Sequence, residues 1–143
     1  MKWEFNDGGR SKAGYKGATN DCVCRSIAIV TGMPYQEVYD LIKLFGKKEH
    51  RTRYKTEKSH PRTGVWNPTV RKIMAHLGWE WVPATRIGAN RKVHLNANEL
   101  PKGKLMVSIS MHCTAVLDGV IQDTHDPSRE DTRRVHGIWK KAP

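Results

Sequence analysis

The dipeptide Asp118-Gly119 constrains the fold more than any other pair in this chain. It lies between two short apolar runs, CTAVL at 113–117 and VIQDT at 120–124. Asp-Gly is a pairing that lets two strands turn back on each other within two residues, because both positions accept positive φ. Just upstream, KLMVSISM at 104–111 reads as another strand. HDPSRED is a turn, and residues 133–139 read as a last strand. The C-terminal part of the chain is thus expected to be an antiparallel sheet.

The N-terminal half carries a different period. Asn20 or Asp21 can cap a helix from about Cys22 to Thr31, with Gly32 as its stop. Pro34 opens a second helix whose apolar face is Val38, Leu41, Ile42 and Phe45, and Gly46 is expected to end it. Asn67-Pro68 repeats the signal before Val70, Ile73, Met74 and Leu77, closed by Gly78. Trp79, Trp81 and Val82 alternate as in a short strand, and Asn96–Leu100 suggests one helical turn before the Pro101–Gly103 turn. Residues 1–20 read as irregular. Helices first and strands after indicate an α+β fold, one domain over residues 1–143, with N-terminal helices packed on a small antiparallel β-sheet.

A chain of 143 residues can bury a core of its own. No run approaches the roughly 18 apolar residues of a membrane span, and the N-terminus lacks the apolar stretch of a secretory signal. The expectation is a cytoplasmic protein with no membrane contact. Three cysteines is an odd number, which speaks for reduced thiols rather than a disulfide framework. Cys22 and Cys24 point about 200° apart on a helix, so they do not bond to each other. The net charge of +11 favours contact with nucleic acid or an acidic partner, with a solubilising surface as the plainer reading. The charge is densest in KKEHRTRYKTEKSHPR at 47–62, which reads as part of a long exposed basic loop at about 47–66.

The stretch NDCVCRSIAIVTG carries the most chemistry. A thiol in the first turn of a helix feels the positive end of the dipole and unpaired backbone N–H groups. Both favour the thiolate, which is the nucleophile. The hairpin offers the base and the orienter that a nucleophile needs. His112 stands at one strand end. Residues near 114 and 123 fall opposite each other around the Asp118-Gly119 turn, so Asp123 can hold the His112 ring.

The plainer readings are weighed alongside. Cys24 and Cys113 read as structural, Cys113 facing away from His112 into the core. A zinc site from Cys22, Cys24, His112 and Cys113 has the wrong spacing. His125 and Asp126 form a rival pair, although Asp126-Pro127 looks like a turn. Asp21 reads as a cap, and Asn6, Asp7 and Arg10 as candidates for a cleft edge. Trp66, Trp79 and Trp81 read as core and cleft wall, and His50 and His60 as solvated.

The two stretches NDCVCRSIAIVTG and MHCTAVLDGVIQDTHDP resemble the papain-like cysteine peptidase superfamily. The likeness is to its compact branches: bacteriocin-processing peptidase domains, transglutaminase-like proteins and small uncharacterised phage proteins. In that group an Asp-Cys pair opens the first long helix, a His begins a late strand, and an Asp or Asn lies on the next strand. The resemblance implies Cys22 as nucleophile, His112 as general base and acid, and Asp123 as orienter. It covers the first helix and the hairpin and leaves residues 46–100 unmatched. Papain-like enzymes often place a Gln oxyanion donor about six residues before the nucleophile. Lys16 stands there instead, so Asn20 through its amide or Lys16 through its charge is the candidate replacement. The residue after the nucleophile is Val23, where the bacteriocin-processing group has Gly.

The expected function is a thiol hydrolase of the peptidase or isopeptidase type, acting on a protein or peptide substrate without cofactor or metal. A phage origin is expected for it. The alternative is a small basic protein, also of phage type or a catalytically degenerate papain-like fold, that binds nucleic acid or an acidic host protein.

Overall fold

Among the described residues, strands supply a six-membered sheet whose two faces are both covered. The computed structural model of the chain describes residues 1–53, 56–88 and 92–143. In chain order the elements are β1 (Trp3–Phe5), α1 (Cys22–Thr31), α2 (Tyr35–Lys47), α3 (Asn67–His76), β2 (Trp79–Pro83) and α4 (Ala84–Ile87), then β3 (Lys104–Ile109), β4 (His112–Leu117), β5 (Val120–Asp123) and β6 (Val135–Lys141). The sheet order is β1-β5-β4-β3-β6-β2. This is an α+β architecture, but the sheet is mixed rather than antiparallel, because β1 runs parallel to β5. That strand comes from residues expected to be irregular. All three of its side chains are exposed, so it is held by backbone pairing and leaves no burial pattern to read.

The hairpin forms as its turn demands. Asp118 has φ 47° and Gly119 φ 82°, the double positive φ of a two-residue turn. The pairing that follows is Leu117 with Val120, Val116 with Ile121 and Ala115 with Gln122. This register puts Thr114 opposite Asp123 and fixes which face of β5 the carboxylate takes.

Alternation then sorts the strand residues into two cores. Met106, Cys113, Ala115 and Trp139 join Ile27 and Val30 of α1, Val38 and Ile42 of α2, and Ile73 and Met74 of α3. Leu105, Val107, Ile109, Val116, Ile121 and Ile138 face the other way and meet Val93, Leu95 and Leu100. Burial on both faces explains why KLMVSI lacks a polar side. Fully buried Ile27 is the kind of side chain whose truncation to Ala costs about 2–5 kcal/mol.

Several boundaries differ from the sequence reading. Gly32 does end α1, at φ 74°, donating its N–H to Ala28 O. Gly46 does not end α2, which runs on to Lys47. A Cβ at Gly46 would sit 2.4 Å from the Ser59 carbonyl oxygen, so this glycine lets the basic segment pack onto the helix. Residues 96–100 form a turn, with Glu99 N–H donating to Asn96 O at 3.0 Å, and no helix. The last strand lies two residues later than expected, and α4 has no counterpart in the sequence reading.

The basic connection between α2 and α3 is only partly an exposed loop. Tyr54 and Lys55 lie outside the described residues. Further on, Ser59 and Pro61 are buried. The Glu49 carboxylate accepts from Ser59 N at 2.7 Å and from the Ser59 and Thr69 hydroxyls. His60, expected to be solvated, packs edge-on against Tyr39 and accepts the Arg62 N–H on Nδ1. Burial lowers its pKa. Arg62 O in turn accepts from Asn20 N at 2.8 Å, so this segment is tied to the residues just before α1.

Candidate active site

Three elements deliver Cys22, His112 and Asp123 to one place. Cys22 is the first residue of α1, His112 the first of β4 and Asp123 the last of β5. Each therefore stands at an element end, where a side chain can reach past the edge of the packing. The His112 Nε2–H donates to Asp123 Oδ2 at 2.8 Å. With Nε2 so engaged, Nδ1 is the nitrogen left for Cys22, whose sulfur the ring also contacts.

The electrostatics follow from these contacts. Contact with the Cys113 thiol is the largest influence on Cys22. Burial opposes it, and the His112 ring and the Cys113 N–H add to it, bringing the Cys22 pKa down to about 4. Burial alone would lower the His112 pKa. Its hydrogen bonds to Asp123 and Cys22 outweigh that and raise it to about 9. Burial would likewise raise Asp123, but the His112 hydrogen bond outweighs it and holds the carboxyl at about 2. At neutral pH the site is thus a thiolate–imidazolium pair backed by a carboxylate. Cys24 contrasts sharply: burial pushes its pKa up to about 12, and its S–H donates to Tyr35 O at 3.9 Å.

Behind Asp123 stands a second network that the sequence reading missed. Arg25 Nη2 donates to Asp123 Oδ1 at 3.1 Å, and its Nη1 pairs with Asp21. Thr124 N–H adds a 2.7 Å bond to the same Oδ1. Asp21 is 1% exposed and makes no side-chain cap. It accepts instead from Tyr35 Oη at 2.6 Å and faces Arg10 Nε at 3.8 Å. The cap reading of Asp21 is therefore corrected: a carboxylate this deep needs cations and donors, and the helix end gives way to them. Burial works against the Arg25 charge, yet Asp21 and Asp123 raise its pKa. The signal was present in the sequence, since Arg25 is the one charged residue of α1 and follows Asp21 by four.

Cys113, read as core, is indeed 7% exposed, but it also touches the Cys22 sulfur. Its S–H lies 3.7 Å from Ser26 Oγ, and Ser26 Oγ donates to Cys113 O at 3.4 Å.

The other candidates are scattered. Asn20 lines the cleft beside Gly64. Lys16 does not line it; its carbonyl accepts from Arg62 Nη2 at 3.0 Å. Asn6 donates to Gln122 Oε1, while Asp7 receives Gly9 N, Ser11 N and the Ser11 hydroxyl. Neither of these, nor Arg10, lines the cleft. Asp126 is a turn former, accepting Ser128 N at 2.9 Å. His125 is exposed, with its ring 5.2 Å from that of His112 and Nδ1 3.9 Å from Asp123 Oδ1. Among the described residues, His112, Asp123 and His125 are the group that brings three ligand atoms within 4.8 Å. The four-residue zinc set does not assemble, since Cys24 faces Tyr35.

Above Cys22 and His112 opens a cleft of about 570 Å³. Trp81, Trp139 and Met106 line its apolar part, and Gly64 and Val65 of the basic segment form a wall. Arg71 and His136 line it too, and no Asp or Glu does among the described residues. No helix among the described residues is long and apolar enough to cross a membrane. Comparison with protein-family models, curated proteins and solved structures yields no match to this chain.

Proposed function

We propose that the protein is a cysteine hydrolase of papain-like type that cleaves an acyl bond in a protein or peptide. The observation that carries this reading is the meeting of Cys22 and His112 at the floor of one cleft, with the buried Asp123 carboxylate bonded to the His112 ring behind them. The Cys22 thiolate attacks the carbonyl carbon and the carbonyl oxygen takes the negative charge. As the first residue of α1, Cys22 has a backbone N–H with no intrahelical acceptor, which is suited to that oxyanion. The Asn20 amide at the cleft wall is the second donor. The His112 imidazolium gives its proton to the leaving amine or alcohol as the bond breaks, which leaves an acyl-thioester on Cys22. Neutral His112 then takes a proton from water, the hydroxide attacks the thioester, and Cys22 leaves as thiolate. Asp123 holds the ring throughout, and Arg25 holds Asp123.

The cleft lining favours an acidic substrate. Arg71 and His136 are exposed and, among the described residues, neither is paired with a carboxylate. Arg71 offers a substrate carboxylate a cationic donor, and Trp81 and Trp139 offer an apolar neighbour a surface to rest on. The test is a library of quenched fluorescent peptides incubated with the parent and with Cys22→Ala. Cleavage by the parent alone, richest in Asp or Glu near the scissile bond, is expected. Equal turnover by both proteins would refute the assignment.

A second reading, a basic protein binding nucleic acid or an acidic host protein, draws on the +11 charge and on exposed Lys47, Lys48, Arg51 and Lys58. A salt titration of DNA and RNA binding tests it: affinity falling steeply with salt supports it, and no binding at low salt removes its nucleic-acid form.

A further inference from the structure

A second thiol beside a nucleophilic one calls for a separate account, because hydrolysis needs only the first. Cys22 and Ser26 lie one turn apart on the same face of α1. That face looks onto Cys113 of β4. Ser26 Oγ reaches both the carbonyl and the sulfur of Cys113, at 3.4 and 3.7 Å, so a small side chain lets the helix come close to the strand there. The Cys22 sulfur meets the Cys113 thiol and backbone N–H. The two cysteines differ in access. Cys22 is half-buried and lines the cleft, whereas Cys113 is 7% exposed at its floor. Diffusing oxidants meet Cys22 first, and Cys113 meets whatever Cys22 becomes.

We infer that Cys22 and Cys113 form a reversible disulfide when the protein meets a hydroperoxide, with Cys22 as the attacking sulfur and Cys113 as the resolving one. In the first step the Cys22 thiolate attacks one peroxide oxygen and the O–O bond breaks. Cys22 becomes a sulfenic acid, oxidised by two electrons, and the other oxygen leaves as hydroxide, which takes up a proton to become water. In the second step the Cys113 sulfur attacks the Cys22 sulfur, the S–O bond breaks, and the departing hydroxide takes the Cys113 proton and leaves as water. An external dithiol reverses the bond by exchange and is itself oxidised. The bond ties α1 to β4, blocks the nucleophile and spares Cys22 the irreversible sulfinic and sulfonic stages. Cys24 takes no part, because it faces Tyr35 on the other side of α1.

This inference rests on Cys22 being the thiolate of the proposed hydrolase, but not on any bond being cleaved. The test exposes the folded parent to equimolar hydrogen peroxide and reads the intact mass and the tryptic peptides. The expected product has lost two hydrogens. The peptide spanning residues 17–25 should be joined to the one carrying Cys113, with fragment ions placing the bond on Cys22 rather than Cys24, and dithiothreitol should restore the mass. Cys113→Ser, checked by circular dichroism for native fold, should instead trap with dimedone and progress to sulfinic acid. Unfolding the parent before oxidation should remove the preference for Cys113. The inference is overturned if the folded parent accumulates sulfinic acid at the rate of Cys113→Ser, or if Cys22 pairs with Cys24. Because no substrate is used, a chain that forms this bond and hydrolyses nothing would sink the hydrolase reading alone.

Discussion

Replacing Asp123 by Asn tests the charge logic of the site most directly. In the parent, the His112 pKa is raised to about 9 from the ordinary 6.5, with the Asp123 hydrogen bond as the largest raising influence against burial. A group whose pKa is raised stays protonated below the new value and loses its proton as pH climbs through it. A group whose pKa is lowered, as Cys22 is to about 4, stays ionised above the new value and is neutralised as pH falls through it. The ion pair should therefore persist between about pH 4 and about pH 9. The substituted amide keeps the shape and a hydrogen bond but removes the charge, so the upper limit should fall toward 6.5. At pH 8 a ring with pKa near 9 is about 90% protonated and one returned all the way to 6.5 about 3%, so roughly thirtyfold is the ceiling on the loss of the proton donor, and the remaining Cys22 contact holds the variant short of it. The assay is kcat/KM against pH for a peptide cleaved by the parent, alongside the pH dependence of iodoacetamide alkylation of Cys22. An upper limb that stays near pH 9 in Asp123→Asn, or a variant with undiminished activity at pH 8, would refute the reasoning.

Other outcomes follow from the same contacts. Iodoacetamide should alkylate Cys22 with a midpoint near pH 4, while Cys24, pushed up to about 12, and Cys113, also raised, stay slow; peptide mapping after timed labelling reads the order. Arg25→Met should leave buried Asp21 without its main cation and cost about 3–5 kcal/mol in urea denaturation. Relieved of that cation, Asp123 should hold the His112 proton more tightly and move the upper pH limb of kcat up rather than down, and Arg25→Lys should reverse part of both changes. Arg71→Glu should leave the alkylation rate of Cys22 unchanged while shifting peptide preference away from acidic residues, read as kcat/KM for matched Asp and Lys peptides. Gly46→Ala should be destabilising, since the new methyl would meet the Ser59 carbonyl at 2.4 Å; the urea midpoint reads it.

How much of this is legible in the sequence depends on whether a residue's neighbours are local. The long helices announce themselves through Pro34, Pro68 and their apolar periods, although no side chain caps α1, α2 or α3, and the hairpin announces itself through Asp118-Gly119. The symmetry of that turn is enough to place His112 and Asp123 together. Strand β1 is hidden because Trp3, Glu4 and Phe5 are held by pairing with Ile121, Gln122 and Asp123, partners more than a hundred residues away. Pairing of this kind leaves no local pattern, and it turns an antiparallel sheet into a mixed one. Arg25 and Asp21 escape for a related reason. Helix-cap rules treat Asp21 as exposed, whereas Arg10, Arg25 and Tyr35 surround it in the folded chain. Lys16 matches a position by counting residues, but the chain between it and Cys22 is tied down by Arg62 and turns it away from the cleft.

Helix α1 has a mechanical consequence. One rigid rod carries the Cys22 sulfur at its tip, the guanidinium that steadies Asp123 one turn on, and the hydroxyl that rests against β4. A small slide of the whole rod moves these three together and preserves their mutual spacing. Bending it within that first turn does not, so a kink between Cys22 and Ser26 should part the Cys22 sulfur from His112 while the strands beneath remain undisturbed.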